Sequence, residues 1–244
     1  MALLEVRGVS KSFGQTPVLD GVDLTLEPGE LVCLLGVSGG GKSTLFNIIS
    51  GLLTPDTGHV LLHGENITGR PGQVSYMLQK DLLLPYRTVL DNAILPLLLQ
   101  GMGRNEARTR AQELFAAFGL DGTQHLYPAQ LSGGMRQRAA LLRTYLFSRE
   151  VILLDEPFSA LDALTKSAMH RWYLDVMNRM PVSTLFITHD VDEAILLSDR
   201  ICLLSGSPGR ITHQISVPHP RPRPDEFKLS QEFLSYKKHI LSLL

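Results

Sequence analysis

Cysteine is scarce in this chain, with two residues in 244, Cys33 and Cys202. At this length no disulfide or metal staple is required, because the chain can bury a sizeable core as one unit or as a core with a smaller lobe. Both cysteines lie in apolar runs, "ELVCLLG" and "RICLLSG", where a thiol behaves as a small hydrophobe, so a core role is expected ahead of a metal or redox role. Neither sign of charge prevails: 23 Lys and Arg face 24 Asp and Glu, with no long block of either. That argues against a nucleic-acid tail or a polybasic anchor and leaves composition silent about partners. Long apolar runs are missing as well. The longest, "AILPLLLQGMG" from Ala93 to Gly103, is interrupted by Pro96 and falls well short of the about 20 residues that cross a bilayer. The N-terminus "MALLEVRGVSKSF" lacks the apolar stretch and small-residue cleavage site of a secretory signal, so a cytosolic chain with no spanning segment is expected. No internal repeat is visible.

What is present has the periodicities of a mixed α/β chain. "LLEVRGVSKSF" and "VLDGVDLTLEPGE" alternate apolar and polar residues and end in Pro-Gly, which predicts antiparallel strands joined by turns. "ELVCLLG" is continuously apolar, as in a parallel strand covered on both faces, and "KSTLFNIISGLL" then has helical spacing with a stop near Gly51. "HVLLHGENI" reads as a short strand with a turn at Gly64. From about Asp81 to Phe147 the pattern is mostly helical, clearest in "NEARTRAQELFAAFGL" with Gly119 as a stop. "VILLD" and "STLFIT" flank the helical "DALTKSAMHRWYLDVMNRM", the strand–helix–strand rhythm of a parallel sheet. The proline-rich "VPHPRPRPDEF" predicts an exposed connector. After it, Phe227, Leu234 and Leu241, with Phe233, Ile240 and Leu244, fall along one helical face. That face either packs on its own domain or serves a dimer or regulatory contact.

"GVSGGGKS" fits the phosphate-loop pattern G-x-x-x-x-G-K-[ST] in its required strand-to-helix context. Gly36, Gly39, Gly40 and Gly41, with Ser38 between them, let backbone N–H groups turn inward around phosphate oxygens, and the helix N-terminus adds its positive dipole end. Lys42 can reach the β- and γ-phosphates, and the hydroxyl of Ser43, followed by Thr44, can ligate Mg²⁺. In "VILLDEP" an apolar strand ends in Asp155 and Glu156, two carboxylates at the C-terminal edge of the sheet. Asp155 suits the Mg²⁺ shell, and Glu156 suits the position from which an attacking water is oriented or deprotonated. His189, which ends the apolar strand in "LFITHD", can donate to a γ-phosphate from the same edge, although a lone strand-end histidine is more often a surface or capping residue. Gln79 in "YMLQKD" is the amide expected near Mg²⁺ and water. "LSGGMRQR" places Ser132, Gly133 and Gly134 at the start of a further helix, a second anion-binding end without a lysine. The first site has no vacancy for it. Two copies meeting head to tail across a two-fold axis would let this end cover the γ-phosphate held by the other copy.

With "GVSGGGKST", Gln79, "LSGGMRQR", "VILLDEP", "SALD" and His189 in that order, the chain resembles the nucleotide-binding subunit of an ATP-binding cassette transporter over nearly its whole length. The resemblance implies an α/β P-loop NTPase (RecA-like) core with a parallel sheet, an N-terminal antiparallel β subdomain and an inserted helical subdomain. It implies one domain over residues 1–244, with the helical signature part at about 81–147 and a tail at about 205–244. It also implies Mg-ATP on Lys42, Ser43 and Asp155, Glu156 as catalytic base, and Gln79 and His189 as sensors of the γ-phosphate. Ser132 and Gly134 would act in trans, and Asp162 of "SALD" would help join the two sites of a homodimer. Met135 stands where the family signature commonly has Gln, and backbone amides with Ser132 are expected to carry the phosphate work regardless. Phe13 stands where an aromatic, often Tyr, stacks on adenine; by itself it is equally a core residue.

A cassette without a spanning segment acts on separate permease subunits at the cytoplasmic face of the inner membrane, with a solute-binding protein in the full system. Leu82 to Leu84 and Tyr86, just after Gln79, are candidates for the seat of a permease helix, unless they only pack the helical lobe. "KDLLLPYRTVLDN", "ITHDVDEAILLSDRI" and "LSGSPGRI" resemble the importer branch serving nitrate, sulfonates, taurine and pyrimidine precursors of thiamine. The rival classes fit less well. Soluble cassette ATPases of DNA maintenance or translation carry coiled-coil insertions or a second cassette, and a small-molecule kinase has no use for "LSGGMRQR". No nucleic-acid partner is expected.

Overall fold

Continuous apolar runs become strands with no free face. The computed structural model describes residues 2–148, 150–159, 161–180 and 182–244. The chain runs through β1 (Leu4–Phe13), β2 (Thr16–Leu26), β3 (Leu31–Leu35), α1 (Lys42–Ile49), β4 (Thr57–Leu62), β5 (Glu65–Asn66) and β6 (Ser75–Met77). Helices α2 (Val89–Ala93), α3 (Leu95–Leu99), α4 (Arg104–Phe115) and α5 (Gly133–Phe147) follow. The chain then alternates β7 (Val151–Asp155), α6 (Ala163–Arg179), β8 (Ser183–Thr188) and α7 (Val191–Leu197), and closes with β9 (Arg200–Ser205), β10 (Arg210–Ser216) and α8 (Gln231–Leu243). One sheet has the order β10-β9-β3-β8-β7-β6, parallel except for β10, and the other is antiparallel with the order β2-β1-β4-β5. This is the P-loop NTPase architecture that the sequence resemblance implies.

Every residue of β3, β7 and β8 is buried. The period of two in a strand explains why no polar alternation appears in them. Leu31, Cys33 and Leu35 enter one core with Ile152, Leu154, Ile201 and Leu203, whereas Val32 and Leu34 enter a second with Val151, Leu153, Cys202 and Leu204. The first core joins the sheet to α2–α6 and the C-terminal segments; the second joins it to α1 and the antiparallel sheet. Cys33 and Cys202 are both free and buried, and burial raises both thiols well above their ordinary range.

The helical middle starts later than the periodicity predicts, at Val89. Asn92, fully buried, accepts the Leu84 N–H at 2.7 Å and donates to the Leu84 and Arg87 carbonyls at 3.1 Å, holding the residues before α2 as a loop. Pro96 sits in the first turn of α3, where its missing N–H costs little. Gly119, at φ 62°, turns the chain after α4.

Two expectations for the C-terminal part are corrected. The proline-rich segment is not a wholly exposed connector: Val217 and Arg223 are buried. The Arg223 guanidinium donates to the carbonyls of Ile195, Leu196, Ser198, Val217 and His219 at 2.7–3.1 Å. Helix α7 ends there with carbonyls that have no intrahelical donor, and a guanidinium supplies five N–H groups and the positive charge a helix C-terminus favours. Arg221 beside it pairs with both oxygens of Asp199 at 2.7 and 2.8 Å. Nor do the six apolar residues share one buried face. Phe233 and Ile240 of α8, with Phe227 from a short 3₁₀ turn ahead of it, are buried, while Leu234, Leu241 and Leu244 are exposed. Neighbouring residues on a helix point about 100° apart, so the face that packs against α7 excludes Leu234 and Leu241.

Replacing Arg223 by Met keeps the apolar stem but strands several buried carbonyls. A loss of about 3 kcal/mol is expected, read as a fall of roughly 6–12 °C in the thermal unfolding midpoint. An unchanged midpoint would show that the arginine does not hold this corner.

Candidate active site

The loop between β3 and α1 turns through two positions that admit only glycine. A Cβ on Gly36 would run into the Leu204 carbonyl oxygen of β9. Gly41, at φ 89°, is the N-cap of α1, and a Cβ there would lie 2.7 Å from Leu19 Cδ2. The loop opens on a cavity of about 370 Å³ lined by Val18, Ser38, Gly39, Gly41, Lys42, Ser43, Thr44, Gln79, Glu156 and His189. Four chain segments far apart in sequence thus meet at the carboxyl ends of β3, β6, β7 and β8.

Lys42 is almost fully buried, and its ammonium donates to the carbonyls of Gly36 at 2.9 Å and Val37 at 2.8 Å. Burial lowers its pKa, and the nearby Glu156 and Asp155 work in the opposite direction. The charge therefore sits inside the loop, held by acceptors that a ligand with stronger oxygen acceptors can replace.

Asp155 and Glu156 are neighbours with different surroundings. Burial raises the Asp155 carboxyl above its ordinary range, while hydrogen bonds from Ser43 and Tyr76 pull it back. The Tyr76 hydroxyl donates to Asp155 Oδ2 at 3.3 Å, and burial with the adjacent carboxylate pushes that phenol up. Glu156 leaves the strand at φ 46°, a left-handed conformation that a non-glycine residue rarely holds, and its N–H donates to the Ile187 carbonyl at 3.1 Å. That turn carries its carboxylate out to the cavity. There Gln79 Nε2 donates to Oε2 at 3.2 Å and His189 Nδ1 lies 3.1 Å from Oε1. Because a carboxylate accepts, the imidazole donates through Nδ1 in this contact. Gln79, Glu156 and His189, separate in sequence, form one hydrogen-bonded chain.

The remaining predicted residues lie elsewhere. Gly36 and Gly40 belong to the loop but their atoms are not among those lining the cavity. Ser132 is exposed and caps α5, its Oγ accepting the Met135 N–H at 3.2 Å, with Gly133 and Gly134 in the first turn. Asp162 caps α6 by accepting the Leu164 and Thr165 N–H groups at 3.1 and 3.0 Å, and its hydrogen bonds, first that with the Thr165 side chain, hold its carboxyl below the ordinary range. Neither cap lines the cavity of its own chain among the described residues. Phe13 is half exposed, with Lys11 Nζ 5.8 Å from its ring, which removes the alternative of a core role. Sequence reasoning did not find Tyr76 or Val18. Neither has a motif offset, and Tyr76 reaches Asp155 only because β6 pairs with β7.

A second cavity, also about 370 Å³, lies between the end of α1 and the helical part and is walled by Leu52, Val74, Leu95, Pro96, Leu99 and Phe147 among others. The leucines after Gln79 are not among its lining residues. Leu83 is buried, Leu82, Leu84 and Tyr86 are exposed, and Arg143, which does line the cavity, ties down that loop by donating to the Leu82 and Asp81 carbonyls at 2.8 and 2.6 Å. Among the described residues no helix is long and apolar enough to cross a membrane.

Residues 19–159 match the ABC transporter family. The chain is 43% identical over 245 residues to the formylaminopyrimidine import ATP-binding protein of Halalkalibacterium halodurans, covering 99% of this chain and 96% of the relative. It is 46% identical over 220 residues to an aliphatic sulfonates import ATP-binding protein of Rhodococcus jostii, covering 90% and 85%. Among solved structures, a dimeric post-hydrolysis ATP-binding cassette bound to ADP and Pi superposes with a TM-score of 0.73 at 28% identity, covering 88% of this chain and 98% of that one.

The Tyr76–Asp155 contact yields a direct test. Replacing Tyr76 by Phe removes a hydrogen bond to the charged carboxylate, so the Asp155 carboxyl should titrate at higher pH than in the parent. Carbon-detected NMR titration of labelled aspartate reads the shift; no movement or a downward one would show that the phenol does not support the charge.

Proposed function

The chain belongs to the ABC transporter family, and from that membership we propose that it is the ATP-hydrolysing subunit of an importer, two copies of which close over two Mg-ATP molecules beneath a separate membrane permease. The observation that carries the reading is the Glu156 carboxylate, turned out of its strand and held between Gln79 and His189 beside the phosphate loop.

In this reading the N–H groups of the loop, from Ser38 to Gly41, with Thr44, surround the phosphates, and Lys42 exchanges its two carbonyl acceptors for β- and γ-phosphate oxygens. The Ser43 hydroxyl, the Asp155 carboxylate and the Gln79 amide oxygen make an all-oxygen donor set that suits a hard cation, and the Ser43–Asp155 hydrogen bond supports their closeness. They would hold Mg²⁺, which when bound supplies neutralisation of phosphate charge. Glu156 accepts the proton of the attacking water or orients it, and the phosphoryl group parts from ADP as the water oxygen bonds to phosphorus. His189 donates to the γ-phosphate, exchanging its present acceptor, and the half-exposed Phe13 offers its ring to adenine.

Ser132, Gly133 and Gly134 act on the nucleotide of the other copy. The exposure of Ser132 and the absence of all three from the lining of their own chain's cavity support that assignment, as does the dimeric state of the similar cassette. Asp162 helps join the two sites. Hydrolysis releases the pair, and the motion passes to the permease through the apolar cavity beside α1. The chain is peripheral, at the cytoplasmic face of the inner membrane, and a solute-binding protein completes the system. The named relatives point to small sulfonates or a pyrimidine precursor of thiamine as solute, and the sequence resemblance adds nitrate and taurine.

Replacing Glu156 by Gln should preserve ATP binding and lower turnover by about 10²–10⁴-fold, with a nucleotide-bound dimer accumulating in size-exclusion chromatography. Parental turnover would remove Glu156 from the chemistry. For the docking surface, Leu52→Glu with Leu99→Glu places two charges on exposed apolar positions of the cavity wall. Co-purification with the permease should drop at least about tenfold, the scale of two buried charges left unpaired; parental recovery would move the docking surface elsewhere.

A further inference from the structure

His189 is the last residue of the site before α7, and the residues on both sides of it are anchored inside the protein. Thr188, 2% exposed, accepts the Asp190 N–H on Oγ1 at 3.1 Å, so one hydroxyl spans the peptide units that carry His189. The same hydroxyl donates in a short hydrogen bond to Glu193 Oε2. Glu193, 3% exposed, receives His170 Nε2 on its other oxygen at 2.7 Å. His170 comes from α6, lies edge-on against the Phe158 ring with centroids 4.8 Å apart, and has no partner at Nδ1 among the described residues. Asp190 adds a second link to α6 through Lys166 at 3.3 Å and caps α7 by accepting the Asp192 and Glu193 N–H groups. None of Thr188, His170 or Glu193 lines the cavity at the phosphate loop, and the site as described makes no use of them.

We infer that Thr188 and the buried Glu193–His170 pair behind it are positioning residues for His189, so that α6 sets from inside the protein how far the imidazole stands over the cavity. The inference rests on the proposed role of His189 and adds to it. A threonine hydroxyl has one proton to donate, and here that proton is committed to a carboxylate which has no mobility of its own, being fixed by an imidazole from another helix. The same oxygen, with its proton so committed, accepts the Asp190 N–H, and the His189 backbone between them has little rotation available. An imidazole that starts on Glu156 Oε1 and must transfer to a phosphate oxygen needs its backbone pivot held, since displacements of about 1 Å at reacting groups cost about two orders of magnitude in rate. The chain of contacts also joins His189 to the helix that Asp162 caps. A shift of α6 on pairing would therefore reach His189 directly.

A double-mutant cycle on the full chain tests this, with steady-state ATP hydrolysis as the readout. Thr188→Val keeps the shape and removes the hydroxyl. It should lower kcat about tenfold and change KM for ATP less than about twofold, since ground-state binding rests on the loop. Thr188→Ser, which restores the hydroxyl, should recover at least half of the parental kcat. In a His189→Ala background, itself slower by at least about tenfold, adding Thr188→Val should cost less than about twofold more, because its effect passes through the missing imidazole. Glu193→Gln should show the same non-additivity, and it serves as the second route if the valine variant does not fold. Equal losses in both backgrounds, or a serine variant as slow as the valine variant, would overturn the inference and leave His189 in place. Parental turnover by His189→Ala alone would overturn the role of His189, and the inference with it.

Discussion

Three parallel strands hidden on both faces govern this structure. Because β3, β7 and β8 carry apolar side chains into two cores at once, a polar group on the sheet must find its hydrogen bonds inside the protein, as Ser183, Thr184 and Thr188 of β8 do. Polar chemistry is displaced to the strand ends. At the carboxyl edge Asp155 ends β7, and the glycine loop, Glu156 and His189 follow directly on the last residues of β3, β7 and β8. The rigidity of the site is borrowed from the packing beneath it, and the same apolar runs that stabilise the fold aim its reactive groups.

Within that edge the charges are separated by surroundings. Lys42 is folded onto loop carbonyls, Asp155 is buried and shared with Ser43 and Tyr76, and Glu156 is turned outward by a left-handed backbone. Burial pushes the first two toward neutrality, in opposite protonation directions; the carboxylates of Glu156 and Asp155 oppose that push on Lys42, and hydrogen bonds from Ser43 and Tyr76 oppose it on Asp155. The arrangement suits a polyanion with a divalent ion: the loop cation waits on weak acceptors, and the buried acid becomes more favourable as an anion when a cation arrives. Glu156 is left in contact with amide and imidazole partners, able to handle a water.

The C-terminal segment has a related logic on the opposite side of α7. That helix begins just after His189 and ends where Arg223 fills the carbonyls of its last turn. Its N-terminal end is capped by Asp190 and braced from α6 by Lys166 and His170. A short helix pinned at both ends is a stiff lever, and α8 packs along it with Lys237 paired to Asp192 at 2.6 Å. The proline-rich arm thus acts through one buried arginine, with no regular structure before the 3₁₀ turn at its end.

Sequence alone determined the strands with continuous apolar runs, the glycine loop, and Lys42 and Glu156 as candidates, because each follows from local periodicity or from a motif; Gln79 and His189 gained their weight from the family resemblance. Gly41 and Gly119 were readable for the same reason, since a left-handed turn is a one-residue property. Tertiary structure alone decided what spacing does not encode. Tyr76 meets Asp155 through strand pairing, Arg223 is drawn inward by the empty carbonyls of a helix distant in sequence, and the buried side of α8 is set by its rotation against α7. The Thr188–Glu193–His170 chain belongs here too: its members look unremarkable in the sequence, and only the packing of α6 beside α7 buries them and brings their polar groups within hydrogen-bond reach.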